Sequence, residues 1–512
     1  MATSRTRNVA FNAAASLLTQ VVMILLNFVS RTVFIRTLDI DYLGVNGLFS
    51  NVLTILSFAE LGIGQAIVFS LYKPLAEHNE ERICSLMQLY KKLYLFIFGV
   101  VVVLGLSMIP FFDVLIKGEP HVKENIVVIY LFYLFSTAVS YLYIYKQSII
   151  TADQKQYVVT TVLTVASIIR VLGQIIILYL THNFLLFLTI DILFRIAGNL
   201  YCSHVADKMY PYIRNNPKPL RKEDTRKIFK DVKSMAAYKF GSIVVNSSDN
   251  VIISAMVSIT TVGLVSNYHM LVLACKNIMG GITNAFTASL GNLNATATTN
   301  EKYHVFNKIL LITAWLYGLA SVGIVVISKY FVEVWIGKEF ILSTWVVIAL
   351  VSEFYVWGIH SLESHYRFTM GFFVKGRIAP ILAAMSNIGL SIWFCSLWGV
   401  AGVFIATSVA RIITYGVIDT LIIFKDGFHR NPAIYFVKNV GFLLLFIGIG
   451  LLSSWIVGFV TWHSWLGVIA QIILVVILYN AVMVLIFYRT VEFKEVVAAA
   501  RGLLKIKINK NK

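Results

Sequence analysis

The hydrophobic positions of this chain fall into long continuous runs. Fourteen runs are long enough to form a helix that crosses a hydrocarbon core of roughly 30 Å, which takes about 20 residues. The runs do not alternate between polar and apolar residues, so they predict helices and not barrel strands. The predicted spans are 8–30, 42–70, 91–112, 126–148, 157–180, 184–206, 235–259, 262–290, 305–328, 341–366, 377–397, 400–424, 436–460 and 466–488. We therefore predict an all-α integral membrane fold with 14 transmembrane helices.

The composition narrows the class of protein. Of the 512 residues, 58% are hydrophobic and only 13% are charged. A soluble domain has about a quarter charged residues, so the composition argues against a soluble enzyme and against a disordered chain. The four cysteines lie far apart without a CxxC pair, and neither a GxxxxGK[ST] loop nor a metal-ligand spacing stands out. We expect no cofactor, no metal and no enzymatic activity.

The basic residues lie mostly on one side of the predicted helices. With a cytoplasmic N-terminus, 32 of the 43 Lys and Arg residues fall in or beside inner segments and 6 in outer ones. The positive-inside rule therefore places both termini in the cytoplasm. The outer loops are short and leave no room for a catalytic domain. The sequence predicts a multi-pass protein of the cell membrane, plasma or inner.

An internal repeat relates the first two spans to the seventh and eighth. A shift of 219 residues brings Asn27 onto Asn246 and Gly44 onto Gly263. The shift equals six spans, an even number, so both copies cross the membrane in the same direction, as in parallel repeats. We predict two six-helix lobes and a C-terminal helix pair. The predicted parts are an N-terminal lobe (1–206), a basic cytoplasmic linker (207–234), a C-terminal lobe (235–424), appended helices 13 and 14 (425–489) and a basic cytoplasmic tail (490–512).

Four repeat-related spans carry polar stripes at helical spacing. The first contains Asn27, the second Asn46, the seventh Asn246 and the eighth Asn284. A polar stripe facing acyl chains would leave costly unsatisfied groups, so each stripe faces either neighbouring helices or a watery cavity. Interhelical hydrogen bonds would explain small polar residues alone. Four stripes on related helices favour a shared central cavity.

Charged residues inside the spans carry more information, because each costs about 2.5–3.5 kcal/mol to insert. Lys276 and Asp249 lie near mid-span on striped helices. They either pair with each other, or the lysine attracts an anionic headgroup while the carboxylate binds a coupling ion. Glu60 is the second candidate for ion coupling. Lys239 and Glu363 lie near inner helix ends, where their side chains can snorkel.

Arginine positions allow two interpretations. Arg31 and Arg36 end the first span on the outer side, where basic residues are usually depleted. They either recognise a phosphate through the planar guanidinium or anchor the helix at the interface. Asp191 and Arg195 are four residues apart on one helix and can pair.

The stretch from Ser30 to Lys92 resembles a known family. Its segments YLGVNGLFSN, AELGIGQAI and LYKPLAE resemble bacterial polysaccharide repeat-unit flippases (Wzx-like O-antigen transporters). This family belongs with the lipid II flippases and the multidrug-and-toxin extruders. The resemblance implies a 6 + 6 + 2 helix plan and alternating access between two lobes. It also implies a cationic central cavity, to which Arg31, Arg36, Lys239 and Lys276 could contribute.

The resemblance further implies a substrate and partners. The substrate would be undecaprenyl diphosphate bearing an oligosaccharide, moved from the inner to the outer leaflet for capsule or exopolysaccharide assembly. The lipid bilayer and the polysaccharide polymerase machinery would be partners, and nucleic acid would not. Two alternatives are a multidrug extruder of the same fold, which would need an acidic cavity, and a membrane polysaccharide polymerase or ligase. The latter tends to need a large outer loop with catalytic residues, which is missing here.

Overall fold

The computed structural model describes residues 2–60, 63–215, 220, 222–372, 375–498 and 501. Within these ranges, side chains are described except at 2–18, 58–59, 65, 214, 227, 230–231, 233–238, 282–289, 291–292 and 295–296. Every regular element in the described ranges is a helix. The α-helices are α1 Ala2–Thr37, α2 Ile40–Leu56, α3 Ile63–Ala76, α4 Glu80–Ser107, α5 Phe112–Leu115, α6 Ile126–Ala152, α7 Gln156–Thr181, α8 Phe184–Met209, α9 Lys222–Met256, α10 Ile259–Thr296, α11 Thr299–Trp335, α12 Thr344–Thr369, α13 Ala379–Arg411, α14 Val417–Leu421, α15 Ala433–Val457 and α16 Trp465–Phe487.

These helices confirm the predicted all-α membrane fold. Ten helical segments of the described chain are long and apolar enough to cross a membrane, and Ile40–Leu56 and Ala66–Ala76 are shorter apolar helices. Apart from its first two residues, predicted span 11 lies with span 12 in one helical segment, Ala379–Gly427, which is kinked at Gly399. This residue has φ 58° and ψ −136°, a conformation that favours glycine. The rest of span 12 continues through π-helical turns at Ile412–Gly416 and Ile422–Gly427.

Two differences from the predicted boundaries concern continuity. Predicted span 42–70 is divided, because α2 ends at Leu56 and a 3-10 turn follows over Ser57–Glu60. Helix α9 begins at Lys222, so the second half of the basic segment 207–234 is a helical extension of the predicted seventh span.

The chain forms two compact units, Met1–Gly263 and Leu264–Lys512. Unit 1 packs around an aromatic cluster in which Phe49 contacts Phe112, Tyr130 and Tyr133. The Tyr130 hydroxyl donates to the Gly105 carbonyl at 2.9 Å. Since lipid tails are as apolar as these side chains, close packing and satisfied hydrogen bonds, rather than escape from water, hold such helices together.

Unit 2 has its own aromatic core. Phe306 of α11 packs against Tyr366, Phe424, Phe428 and Tyr435, with ring centroids 4.9–5.8 Å apart. Helices α15 and α16 pack on α11, where the Tyr479 hydroxyl donates to the Trp315 carbonyl at 3.0 Å.

The segment after α16 is tied to α11 by charge. Glu495 accepts hydrogen bonds from Lys308 and His304, each at 2.8 Å. These hydrogen bonds, the one from Lys308 above all, hold the pKa of the Glu495 carboxyl below its usual range. The basic N-terminal part of α11 thus holds the chain that follows the last helix.

Within unit 1, the ends of α2 and α10 cross at the predicted outer side. A Cβ atom on Gly44 would lie 2.0 Å from the Ile259 carbonyl oxygen, and one on Gly263 would lie 2.5 Å from that of Ile40. The Thr260 hydroxyl donates to Asp41 at 2.5 Å. These pairs join positions that the 219-residue shift makes equivalent. Asp41 contacts its own counterpart Thr260, and the contact of Gly44 with Ile259 is matched by that of Gly263 with Ile40. We call this contact the outer crossing.

The loop after α5 fastens the outer crossing. Lys117 donates to the carbonyl of Ser254 through its backbone and to that of Met256 through its ammonium group, at 3.1 and 2.7 Å. The backbone N–H of His121 donates to Asp41 at 2.7 Å. The loop therefore joins the beginning of α2 to the end of α9.

Helix α11 begins with a complete capping box. Thr298 accepts a hydrogen bond from the Glu301 backbone, and the Glu301 carboxylate accepts one from the Thr298 backbone. We expect Thr298→Ala to destabilise the protein by about 1 kcal/mol, because one helix N–H loses its acceptor. Thermal unfolding in detergent, with Thr299→Ala as the control, measures this. Equal effects of the two substitutions would contradict the capping role.

Candidate functional site

A cluster of arginines lies among the helices of unit 1. Arg170, near the middle of α7, hydrogen-bonds Asp191 of α8. Arg195, one turn further along α8, binds the other oxygen of the same carboxylate at 3.0 Å. The predicted pairing of Asp191 with Arg195 is therefore confirmed. Arg170 is an additional partner that the sequence did not identify.

Tyr133 of α6 connects this pair of helices to α1 and α2. Its phenol group lies within electrostatic reach of Asp191, Arg195 and Arg31. Its hydroxyl donates to Asn46 Oδ1 at 2.7 Å. Arg31 and Asn46, two residues predicted for the cavity, thus lie near the same tyrosine as the charged residues of α8. We call Arg31, Arg170, Asp191 and Arg195 the arginine cluster.

The local sequence explains why these helices present the charges together. The chain reverses between α7 and α8 at His182, whose φ is 49°, and the Asn183 side chain caps α8 by accepting from the Leu186 N–H. The short turn makes α7 and α8 antiparallel neighbours that pack along their length. Arg170 and Asp191 lie at matching depths on the two helices, so their side chains meet.

Arg170 and Arg195 share the one carboxylate of Asp191, so these three side chains have a formal excess of one positive charge. Such an excess inside a membrane protein is costly unless water or an anion compensates it. The side chains of Arg195 and Arg170 are 49% and 25% exposed, so a ligand can reach them. Guanidinium groups bind phosphate oxygens with two parallel hydrogen bonds. The arrangement is suited to an anionic, phosphate-containing headgroup.

The other predicted residues of unit 1 lie in varied surroundings. Asn27, Arg36 and Asn246 are exposed, whereas Asp249 is only 8% exposed. Glu60 accepts a hydrogen bond from the Tyr94 hydroxyl at 3.2 Å and interacts electrostatically with Lys239.

In unit 2, Lys276 takes part in a second group of charges. Its ammonium nitrogen lies 3.5 Å from Glu353, which also lies 3.6 Å from Arg411. The ammonium group stands 5.0 Å from the ring centre of Trp357. The side chain of Asn284 lies outside the described residues. The sequence did not identify a partner for Glu353. The spacing of residues along one helix shows which face a side chain lies on, but it does not show which helix packs against that face.

Comparison with known proteins supports the fold. No family model matches the sequence. No curated protein sequence matches it either. Among solved structures, the lipid II flippase MurJ in an inward closed conformation is similar with a TM-score of 0.63 and 17% identity, over 93% of this chain and 98% of that one. An inward-facing multidrug resistance MATE family transporter of the MOP superfamily is similar with a TM-score of 0.60 and 15% identity, over 77% of this chain and 92% of that one.

This chain has the fold of these membrane transporters. The likeness to MurJ extends over nearly the whole of both chains. The arginine cluster and the Lys276 group therefore belong to a multi-pass membrane protein with a transporter fold.

Proposed function

We propose that this protein is a flippase rather than an enzyme. It moves polyprenyl-diphosphate-linked oligosaccharide repeat units from the inner to the outer leaflet of the cell membrane by alternating access. The observation that carries the proposal is the arginine cluster, in which Arg170 and Arg195 share the single carboxylate of Asp191, inside a fold similar to that of a lipid II flippase. The products would supply the polymerase machinery that assembles a cell-surface polysaccharide.

The charge of the arginine cluster supports a diphosphate as the bound group. Two unit charges 4 Å apart interact by about 4 kcal/mol at an effective dielectric constant of 20. A diphosphate would balance the excess of the cluster, whereas a cationic drug would be repelled by it. This favours the flippase over a multidrug extruder of the same fold.

Polar side chains near the cluster support a sugar-bearing headgroup. Asn27, Ser50 and Thr54 are exposed on α1 and α2, on the helices that carry Arg31 and Asn46. Amide and hydroxyl groups can exchange hydrogen bonds with sugar hydroxyls. The polyprenyl chain would remain in lipid while the headgroup crosses.

The membrane potential can supply the energy for export. When a negative charge moves outward across a membrane whose interior is negative, about 2.3 kcal/mol of free energy is released per charge for every 100 mV. A diphosphate carries two such charges. Export of a diphosphate therefore needs no nucleotide hydrolysis.

Reconstitution into liposomes tests the proposed function. The readout is the accessibility of a fluorescent polyprenyl-diphosphate sugar in each leaflet, with a lipid of the same chain length and a cationic headgroup as the control. We expect the diphosphate lipid to equilibrate between leaflets only in vesicles that contain the protein, and the rate to rise with an imposed potential. Equal transport of the cationic lipid, or release of a free sugar from the carrier, would contradict the proposal.

A further inference from the structure

A buried carboxyl group lies in unit 2, away from the arginine cluster. Glu363 of α12 is 3% exposed. Its Oε1 atom accepts hydrogen bonds from the hydroxyl groups of Tyr435 at 2.5 Å and Thr420 at 3.2 Å. Its Oε2 atom lies 3.3 Å from Nδ1 of His360. The expectation that Glu363 snorkels to the inner surface is therefore wrong, because α15 covers it with Tyr435.

From His360 a continuous line of polar groups leads to a second carboxyl. His360 Nε2 lies 3.1 Å from the Ser364 hydroxyl, which donates to Asp419 Oδ2 at 3.4 Å. Asp419 is fully buried, and its Oδ1 atom lies 3.0 Å from Nε of Arg367. We call Glu363, His360, Ser364 and Asp419 the carboxyl relay.

The directions of these hydrogen bonds locate a proton. A serine hydroxyl has one hydrogen, and Ser364 donates it to Asp419. His360 Nε2 must therefore donate to Ser364, which leaves Nδ1 of a neutral imidazole as an acceptor. The contact between Nδ1 and Glu363 is then a hydrogen bond only if Glu363 carries the proton. If His360 is instead an imidazolium, the pair still holds the same one additional proton.

The distribution of charge leads to the same assignment. Asp419 has the guanidinium group of Arg367 beside it and can remain ionised. The hydrogen-bond partners of Glu363 among the described residues are two hydroxyl groups and an imidazole, so an ionised Glu363 would be a buried charge without a neighbouring cation. Such a charge is costly, and a carboxyl in this position holds a proton instead.

A cavity gives this pair a route for exchange. Glu363, His360 and Tyr435 line a cavity of about 590 Å³, bordered by α11, α12, the π-helical region and α15. Most of its lining is apolar, but Glu363, His360, Arg411 and Tyr435 are polar groups at which water can bind. The titratable and charged groups that face Glu363, or line the same cavity, come from α12, from the region between Arg411 and Asp419, and from α15. They are His360 and Tyr355 on α12, Arg411, Tyr415 and Asp419 between α13 and α14, and Tyr435 on α15.

We propose that Glu363 and His360 form a proton-binding site, and that release of its proton repacks α12 against α15. In the release step, the O–H bond of Glu363 Oε2 breaks and the proton passes to water in the cavity, either directly or by way of His360 Nδ1. Asp419 keeps its negative charge beside Arg367, and the net change is one proton moved from Glu363 to the cavity water. Ionised Glu363 then favours water entry and separation of the helices that cover it. The coupling of this site to transport rests on the proposed function, whereas proton binding does not.

Infrared difference spectroscopy of the purified full-length protein tests proton binding. At neutral pH we expect a carbonyl stretch of one protonated carboxyl that shifts in D₂O and disappears in Glu363→Gln. Glu353→Gln is the matched control, because Glu353 is equally buried in the same unit but lies beside two cations. It should leave the band unchanged. A band that persists in Glu363→Gln, or disappears equally in Glu353→Gln, would overturn the proposal.

A second variant keeps the test decisive if Glu363→Gln does not fold. Tyr435→Phe removes the hydroxyl that donates to Oε1 but leaves the carboxyl in place. We expect the band to be retained and its frequency to change. An unchanged frequency would overturn the assignment of the band to Glu363.

The coupling is tested in liposomes with the fluorescent diphosphate lipid. A pH gradient of one unit is worth about tenfold in an equilibrium ratio. We expect such a gradient to change the leaflet distribution with wild-type protein and to have no effect with Glu363→Gln, which should still bind the lipid. A gradient effect of equal size in both proteins would overturn the coupling. If wild-type protein moved no diphosphate lipid while the infrared band were present, the proposed function would fail and the proton site would stand.

Discussion

Arg31→Gln is expected to reduce the transport of a diphosphate-linked lipid about 30-fold, with the protein still folded and inserted. The substitution removes one guanidinium group from the arginine cluster and leaves a shorter, neutral polar side chain. Hydrogen bonds to charged groups contribute about 1.5–3 kcal/mol, and 2 kcal/mol corresponds to roughly 30-fold in affinity. Initial rates of leaflet exchange in liposomes, together with lipid affinity, measure the effect.

Arg36→Gln provides the matched control for Arg31→Gln. Arg36 lies on the same helix and toward the same membrane surface, but its side chain is exposed. We expect the rate to change less than threefold, because exposed charges contribute little. Equal losses in the two variants would mean that the outer end of α1 acts through its overall charge. Full activity of Arg31→Gln would remove Arg31 from the binding site.

The positions of the helices along the chain could be predicted from the sequence, because they depend on local properties. Long apolar runs identify spans without knowledge of neighbours, and Gly399 ends one span where the backbone needs a positive φ. The division of predicted span 42–70 could not be predicted in this way. Its apolar run continues across Ser57–Glu60, and the 3-10 turn there leaves no gap in hydrophobicity.

The partners of buried charges were beyond sequence reasoning for a physical reason. Arg170 and Asp191 are 21 residues apart, and Lys276 and Glu353 are 77 apart, on helices whose mutual rotation no single-helix pattern fixes. A useful signal was present nevertheless. Two in-span arginines, Arg170 and Arg195, occur with a single aspartate in adjacent spans, and this imbalance points to an anion site.

Glu363 illustrates the same limit. Its position near the inner end of an apolar run predicted a side chain that reaches the interface. The structure instead encloses it between Tyr435 and Thr420, which lie 72 and 57 residues further along the chain. Burial of a carboxyl is therefore a property of the packing of three helices, and only the structure could reveal a proton-binding site there.

Gly44→Ala is expected to destabilise the closed outer crossing by about 2 kcal/mol, within the range of 1–3 kcal/mol typical of overpacked cores. The added Cβ atom would lie 2.0 Å from the Ile259 carbonyl oxygen, and a backbone carbonyl cannot move aside as a flexible side chain can. Helices α2 and α10 must then separate at their outer ends. The same helix pair meets again at Gly263 and Ile40, so both halves of the contact are lost together.

Thermal unfolding in detergent and labelling of a cysteine placed at Thr260 measure this effect. We expect a lower melting temperature and faster labelling in Gly44→Ala. Gly389→Ala is the matched control, since no atom lies within 4 Å of a Cβ built at that helical glycine. It should be neutral or stabilise the protein by up to about 1 kcal/mol through helix propensity. If both variants melted and labelled alike, close approach at Gly44 would not hold the outer crossing together. Another contact would then have to hold α2 against α10 at the outer crossing.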